Sequence, residues 1–285
     1  MSLKTSLTTH HPDKYRTNAS FVYSDENTAP VLRLLDAKPG ERIIDLGCGT
    51  GELTQKIKDI VGDRGDVVGV DCNNSMLEKA AISVHSVTFS QADIQDPAAF
   101  GQKYPSYKGS FDAVFSSATL HWCKASPNGA AKLMEWLLKP GGRVAVELGG
   151  FGNICGVRAA LHQAIKNKGV DPIVLDPWYF PTPNQYETVL SSAGLTPSNF
   201  HIVPRPTALP TSLKGWLTTF ARNSLLSTFS DQEAEKIMDE VVDMCRIDNY
   251  WSTSNPWMGV KSETMKEDGW EIMYVRLRGT ARKPE

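Results

Sequence analysis

The stretch RIIDLGCGTGELT (Arg42–Thr54) changes character twice. A short apolar run ends at Gly47, and helical spacing begins after Gly51, with Leu53, Ile57, Ile60 and Val61 on one side. Between them stand glycines at 47, 49 and 51. Glycine lets a backbone turn sharply and approach a ligand with no Cβ in the way. Strand, glycine loop and helix in that order open a βαβ unit. The spacing is G-x-G-x-G, whereas a dinucleotide fold has G-x-G-x-x-G, and position 52 here is Glu. A carboxylate opening the helix would repel a pyrophosphate seated there. The loop therefore predicts a cofactor without phosphates.

Outward from this stretch, strands and helices alternate. Strands are predicted over 42–47, 66–71, 87–93, 111–117 and 143–148. Helices are predicted over 52–61, over 75–84 with Ser75 as cap, and over 129–138. Alternation implies a parallel sheet with helices on both faces. Prolines cluster from Pro172 to Pro183 and break regular structure. A sixth strand (200–207), two helical stretches (212–226 and 231–246) and a long last strand (269–283) follow. The two helices read as an insertion before the last strand, at about 208–268, placed to cover an active site.

Composition bounds the partners. The chain has 285 residues and a net charge of -2, with no basic stripe, so nucleic acid is not the expected partner. No apolar run is long enough to cross a membrane. The polar N-terminus has no signal core, which predicts a cytoplasmic protein. Five scattered cysteines without a C-x-x-C pair read as reduced thiols, neither a disulfide frame nor a metal site. His10 and His11 read as a frayed tail.

The ends of the next strands carry acids. Asp71 is suited to accept from both hydroxyls of a ribose. Asp93 can accept from an exocyclic amine, and Ile94 can lie against a purine face. Glycine loop, ribose acid and adenine acid in that order fit adenosine with a non-phosphate tail, which describes S-adenosylmethionine (SAM).

The ordered motifs IIDLGCGTG, VVGVD, QADI, FDAVFSSATLHW and LLKPGGRVAVEL, over about residues 40–150, resemble the class I SAM-dependent methyltransferases. YRTNASFVY, LHW and the tail are similar to trans-aconitate methyltransferases and related small-molecule enzymes. The resemblance implies an α/β, doubly wound, mostly parallel seven-stranded sheet with an antiparallel last strand. It divides the chain into a cofactor-covering segment (1–38), a SAM-binding core (39–150) and a completing part with the insertion (151–285). It implies that Tyr15, Arg16 and Phe21 fold over the cofactor and that Asn73 and Met76 flank the nucleoside. Asp45, Gly47, Cys48, Gly49 and Cys72 join Asp71, Asp93 and Ile94 in the cofactor set, with Ser116 and Ser117 near the methionine moiety.

Methyl transfer from a sulfonium needs an in-line nucleophile and exclusion of water. An ionised carboxylate needs no base, whereas a phenol, enol or thiol would use one. His121, just past the fourth strand, is the candidate base or hydrogen-bond donor, and Trp122 the pocket wall. Arg222 is the candidate partner for an acceptor carboxylate. Arg276 and Arg278 alternate on the last strand and read as a solvated face. The competing reading is a SAM-binding protein that transfers no methyl group. The oligomeric state is not encoded in any feature of the sequence.

Overall fold

A computed structural model describes residues 12–252 and 268–285. Helices are α1 (Pro12–Asn18), α2 (Asp25–Leu35), α3 (Glu52–Val61), α4 (Asn74–Ser83), α5 (Pro97–Lys103) and α6 (Pro127–Leu137). They continue as α7 (Cys155–Lys166), α8 (Pro172–Leu175), α9 (Pro183–Ser192), α10 (Leu213–Phe220) and α11 (Asp231–Asn249). Strands are β1 (Arg42–Leu46), β2 (Asp66–Asp71), β3 (Thr88–Gln91), β4 (Phe111–Ser117), β5 (Leu138–Gly149), β6 (Thr196–Ala208), β7 (Tyr250–Trp251) and β8 (Gly269–Arg282).

The sheet runs β3-β2-β1-β4-β5-β8-β6, with β7 paired to β8. Strands β1 to β5 are mutually parallel and β8 is antiparallel to β5. The expected mixed, doubly wound sheet is present, with one short strand more than the seven predicted. Alternation along the parallel strands feeds two apolar clusters, one on each face. Ile44, Leu46, Val68, Val114, Val146 and Leu277 pack with Leu133, Leu137 and Leu190 of α6 and α9. Ile43, Val67, Ala113, Phe115 and Ala145 pack with Val31, Leu35, Leu53 and Ile57 of α2 and α3.

The chain divides into two compact units. One comprises Val22–Phe151, Trp178–Val203 and Arg276–Glu285. The other takes in the chain up to Phe21 together with Gly152–Pro177 and Pro204–Val275. In this second unit α7 packs on α11, and Asn18 at the end of α1 donates to Thr219 of α10 at 2.9 Å.

Local chemistry corrects some expectations. Asn73, not Ser75, caps α4: its side-chain oxygen accepts from the backbone N–H of Ser75 and Met76. The last helical stretch before the Ser230 cap ends at Phe220, so Arg222 lies past α10 rather than within a helix. His10 and His11 lie outside the described residues, as does part of the expected insertion. Among the described residues no helix is long and apolar enough to cross a membrane.

Candidate active site

The glycine loop and the carboxyl ends of β1, β2, β4 and β5 lie in one unit, and the site is built there. Gly47 leaves β1 with φ +82°, and its N–H, like that of Cys48, donates to the Val70 carbonyl. A Cβ at Gly47 would sit 2.1–2.5 Å from the Thr119 side chain, whose hydroxyl donates to the Gly47 carbonyl at 3.0 Å. The loop after β1 is thus pressed against the turn after β4. Gly51 then opens α3 with φ +88°.

Asp71 closes the loop from β2. Its Oδ2 accepts from the Gly49 N–H at 3.0 Å and its Oδ1 from the Asn73 N–H at 2.9 Å. Each carboxylate oxygen keeps a further lone pair, so two hydroxyl donors can still be received. Burial pushes the Asp71 carboxyl above its ordinary pKa, and the backbone donors pull against that rise. Asp93, exposed at the end of β3, accepts from the Gln95 backbone N–H at 2.9 Å. Thr50 Oγ1 lies 2.6–2.7 Å from both oxygens of Glu52 and 3.5 Å from the Tyr23 hydroxyl. Tyr23 stands over the loop, a position that only its neighbourhood in YRTNASFVY hinted at.

Other members of the expected cofactor set have structural duties. Asp45 is 2% exposed and accepts from the Thr54 hydroxyl at 2.7 Å, tying β1 to α3. Ser116 is fully buried and its hydroxyl donates to the Leu46 carbonyl at 2.7 Å. Met76 and Ile94 are buried, and Ile94 belongs to the apolar cluster beside Val68 and Val70. Ile94 is 5% exposed and packs in that cluster just past the end of β3. Cys48 is buried, with its thiol pKa pushed well up by desolvation, and Cys72 is pushed up to about 12 for the same main reason. Neither is a thiolate nucleophile.

Burial pushes Asp45 to about 7, the Thr54 bond opposing and the Asp71 charge adding to the rise. An unfolded aspartate titrates near 4, so between these values folding takes up a proton. The stability this group contributes is complete below pH ~4 and is lost as pH rises through ~7. Asp45→Asn is therefore expected to flatten the fall in melting temperature between pH ~4 and ~7. Parallel wild-type and variant curves would contradict the shift.

After β4, Ala118 adopts φ +56° and its N–H donates to the Glu147 carbonyl at 2.8 Å. A single 3-10 turn, Leu120–Trp122, follows and buries His121 and Trp122, each 8% exposed. The Gly149 N–H, at the end of β5, donates to His121 Nδ1 at 3.2 Å. Its partner loop is the proline-rich segment: the Tyr179 N–H donates to the His121 carbonyl at 2.8 Å. Phe180 lies 5.9 Å from the His121 ring and Trp178 5.9 Å from Trp122, with Trp178 and Phe180 stacked at 6.0 Å. Aromatics 57 or so residues downstream thus wall His121, a pairing that sequence spacing does not disclose.

Arg276 and Arg278 are not a solvated face. Their side chains are 5% and 12% exposed and both meet Glu147, itself 2% exposed, at 3.0 and 2.6 Å. The antiparallel register sets Arg278 opposite Glu147 and Arg276 opposite Gly149, which turns both guanidinium groups onto β5.

Arg16, Phe21 and Arg222 belong to the other unit, and the side chain of Tyr15 lies outside the described set. Arg16 is exposed on α1, and the Phe21 ring is 5.5 Å from Tyr274. Arg222 donates to the Leu226 carbonyl at 3.0 Å and pairs with Asp231 at 2.5 Å. Asp231 is 93% exposed, and such a pair is weak.

Residues 37–172 match the sequence model of a family described as a methyltransferase domain. Over 247 residues the chain is 29% identical to an uncharacterized methyltransferase of Schizosaccharomyces pombe, spanning 83% of this chain and 91% of that one. Over 144 residues it is 34% identical to a trans-aconitate 2-methyltransferase of Deinococcus radiodurans, about half (49%) of either chain. The solved structure of YcgJ from Bacillus subtilis superposes with a TM-score of 0.60 at 14% identity, covering 92% of this chain and all of that one. Residues 37–172 are thus similar to a methyltransferase domain, and the mixed sheet that carries them has the fold of the class I SAM-dependent methyltransferases.

Proposed function

We propose that this protein transfers the methyl group of SAM to a small-molecule acceptor, with a carboxylate such as trans-aconitate, or a secondary metabolite, as candidate acceptor. The observation that carries the reading is the Asp71 carboxylate, which bridges the Gly49 and Asn73 N–H groups beside a glycine loop whose next helix begins with Glu52. That pair of acids accepts hydroxyls and disfavours phosphate.

Bound SAM supplies an electrophilic methyl on a sulfonium with a neutral leaving group. The chain has three tasks around it. Asp71 and Asp93 receive the ribose and the adenine amine, and Gly47 and Gly49 bring the backbone close. Ser117, half-buried at the end of β4, faces the methionine end. His121 donates to the acceptor from Nε2, because Nδ1 accepts from Gly149. Trp122, Trp178 and Phe180 wall the acceptor and keep water out.

Incubation with methyl-labelled SAM and a metabolite extract enriched in carboxylic acids is expected to yield a labelled product that depends on Asp71. Tight SAM binding with no labelled product would sink the transferase reading in favour of a SAM-binding protein without methyl transfer. Failure to bind SAM would sink both.

A further inference from the structure

We propose that Arg276 and Arg278, held by Glu147, form the anion-binding side of the acceptor site and take a carboxylate or phosphate group of the acceptor. This assignment rests on the methyl-transfer reading for what the bound anion is used for.

The order of strands lays the site out. Cofactor-side groups end β1, β2 and β3; the turn with His121 ends β4; Glu147 and Gly149 end β5; Arg276 and Arg278 follow on β8. Ser117, Glu147 and Arg278 stand opposite one another on three successive strands, so their side chains share one face. At the usual strand spacing Arg278 is about 10 Å from Ser117. Gly149 joins the two halves: its N–H holds His121 Nδ1, and its register partner is Arg276. The arginines thus lie on the side of His121 away from the glycine loop.

The charge there does not balance. Two guanidinium groups meet one carboxylate, and all three side chains are nearly out of water. Among the described residues no other acid pairs with either arginine. A buried cation in excess is costly unless an anion joins it. Arg276 uses Nε on Glu147 Oε1. Arg278 approaches Oε2 with Nη2, but its Nε hydrogen is buried without an acceptor among the described residues. Each guanidinium is a planar fork suited to two oxygens of one oxyanion. Glu147 fixes the forks in place and leaves a cation's worth of attraction for a ligand. An acceptor held this way is already ionised, and His121 as a donor suits it.

The test uses two probes, trans-aconitate and inorganic phosphate, titrated calorimetrically at fixed ionic strength into full-length protein saturated with S-adenosylhomocysteine. At least one is expected to bind the wild type, and which one binds tells carboxylate from phosphate. R276M and R278M keep the bulk of the stem and are expected to weaken binding tenfold or more. R278K keeps a charge and is expected to lose less than R278M. E147Q removes the competing carboxylate and is expected to tighten binding severalfold. Absence of binding by either probe would overturn the proposal, as would full affinity in both methionine variants, or E147Q binding no more tightly than wild type. If a methionine variant fails to fold, R278K and E147Q decide. The same titration without S-adenosylhomocysteine separates the two readings: anion binding that persists in a protein unable to bind the cofactor keeps this site and rejects the cofactor assignment.

Discussion

Gly47→Ala is expected to lower S-adenosylhomocysteine affinity by about a hundredfold and to reduce the melting temperature by several degrees. Two independent effects add. The residue has φ +82°, where an L side chain costs roughly 1–2 kcal/mol. Its new Cβ would also stand 2.1 Å from Thr119 Cγ2, 2.2 Å from Oγ1 and 2.5 Å from Cβ. Overpacking of that kind costs roughly 1–3 kcal/mol, because something has to move. The loop is the thing that can move, and the Gly49 N–H on Asp71 moves with it. Gly40 supplies the control. It has φ +85° with nothing within 4 Å, so Gly40→Ala meets the backbone effect alone and leaves cofactor affinity unchanged. Thr119→Gly in the Gly47→Ala background relieves the clash but not the backbone strain, and is expected to restore part of the affinity. Affinity in Gly47→Ala equal to that in Gly40→Ala would show that the loop does not touch the cofactor.

Why these glycines could be read from the sequence, and other site residues could not, is a matter of range. The strand, loop and helix around Gly47 are contiguous, and the two acids follow at strand ends, so each role is stated by near neighbours. The same holds for the parallel order of β1 to β5, which hydrophobic runs and helices between them dictate. Glu147 and Arg276 are 129 residues apart and meet only through the register of β5 and β8, which no local pattern carries. Alternation on β8 put Arg276 and Arg278 on one side but not on which side of the sheet. The proline-rich loop around Trp178 and Phe180 was visible as irregular and aromatic, and its landing place on His121 was not.

The second large effect concerns His121. Its Nδ1 accepts from the Gly149 N–H at 3.2 Å in a buried setting, so that nitrogen carries a lone pair and the ring proton sits on Nε2. In this tautomer Nε2 donates and does not take a proton, and moving the proton to Nδ1 would set two donors against each other. On the proposed function, His121 then orients the acceptor rather than deprotonating it. Asn and Gln separate the two functions, because an Asn oxygen falls near the place of Nδ1 and a Gln nitrogen near that of Nε2. His121→Asn keeps an acceptor for Gly149 and is expected to keep the melting temperature and S-adenosylhomocysteine affinity of wild type. Its kcat on the labelled acceptor is expected to fall about a hundredfold, the usual scale for losing a positioned donor or the alignment it gives. His121→Gln retains a donor and is expected to hold more activity than His121→Asn, at lower stability. A histidine acting as base predicts equal loss in both. Nitrogen-15 NMR of the imidazole checks the tautomer before any acceptor is known. A ring protonated at Nδ1 would remove the donor role, and the carboxylate or phosphate acceptor favoured by the Arg276 and Arg278 pair would then lose its second contact.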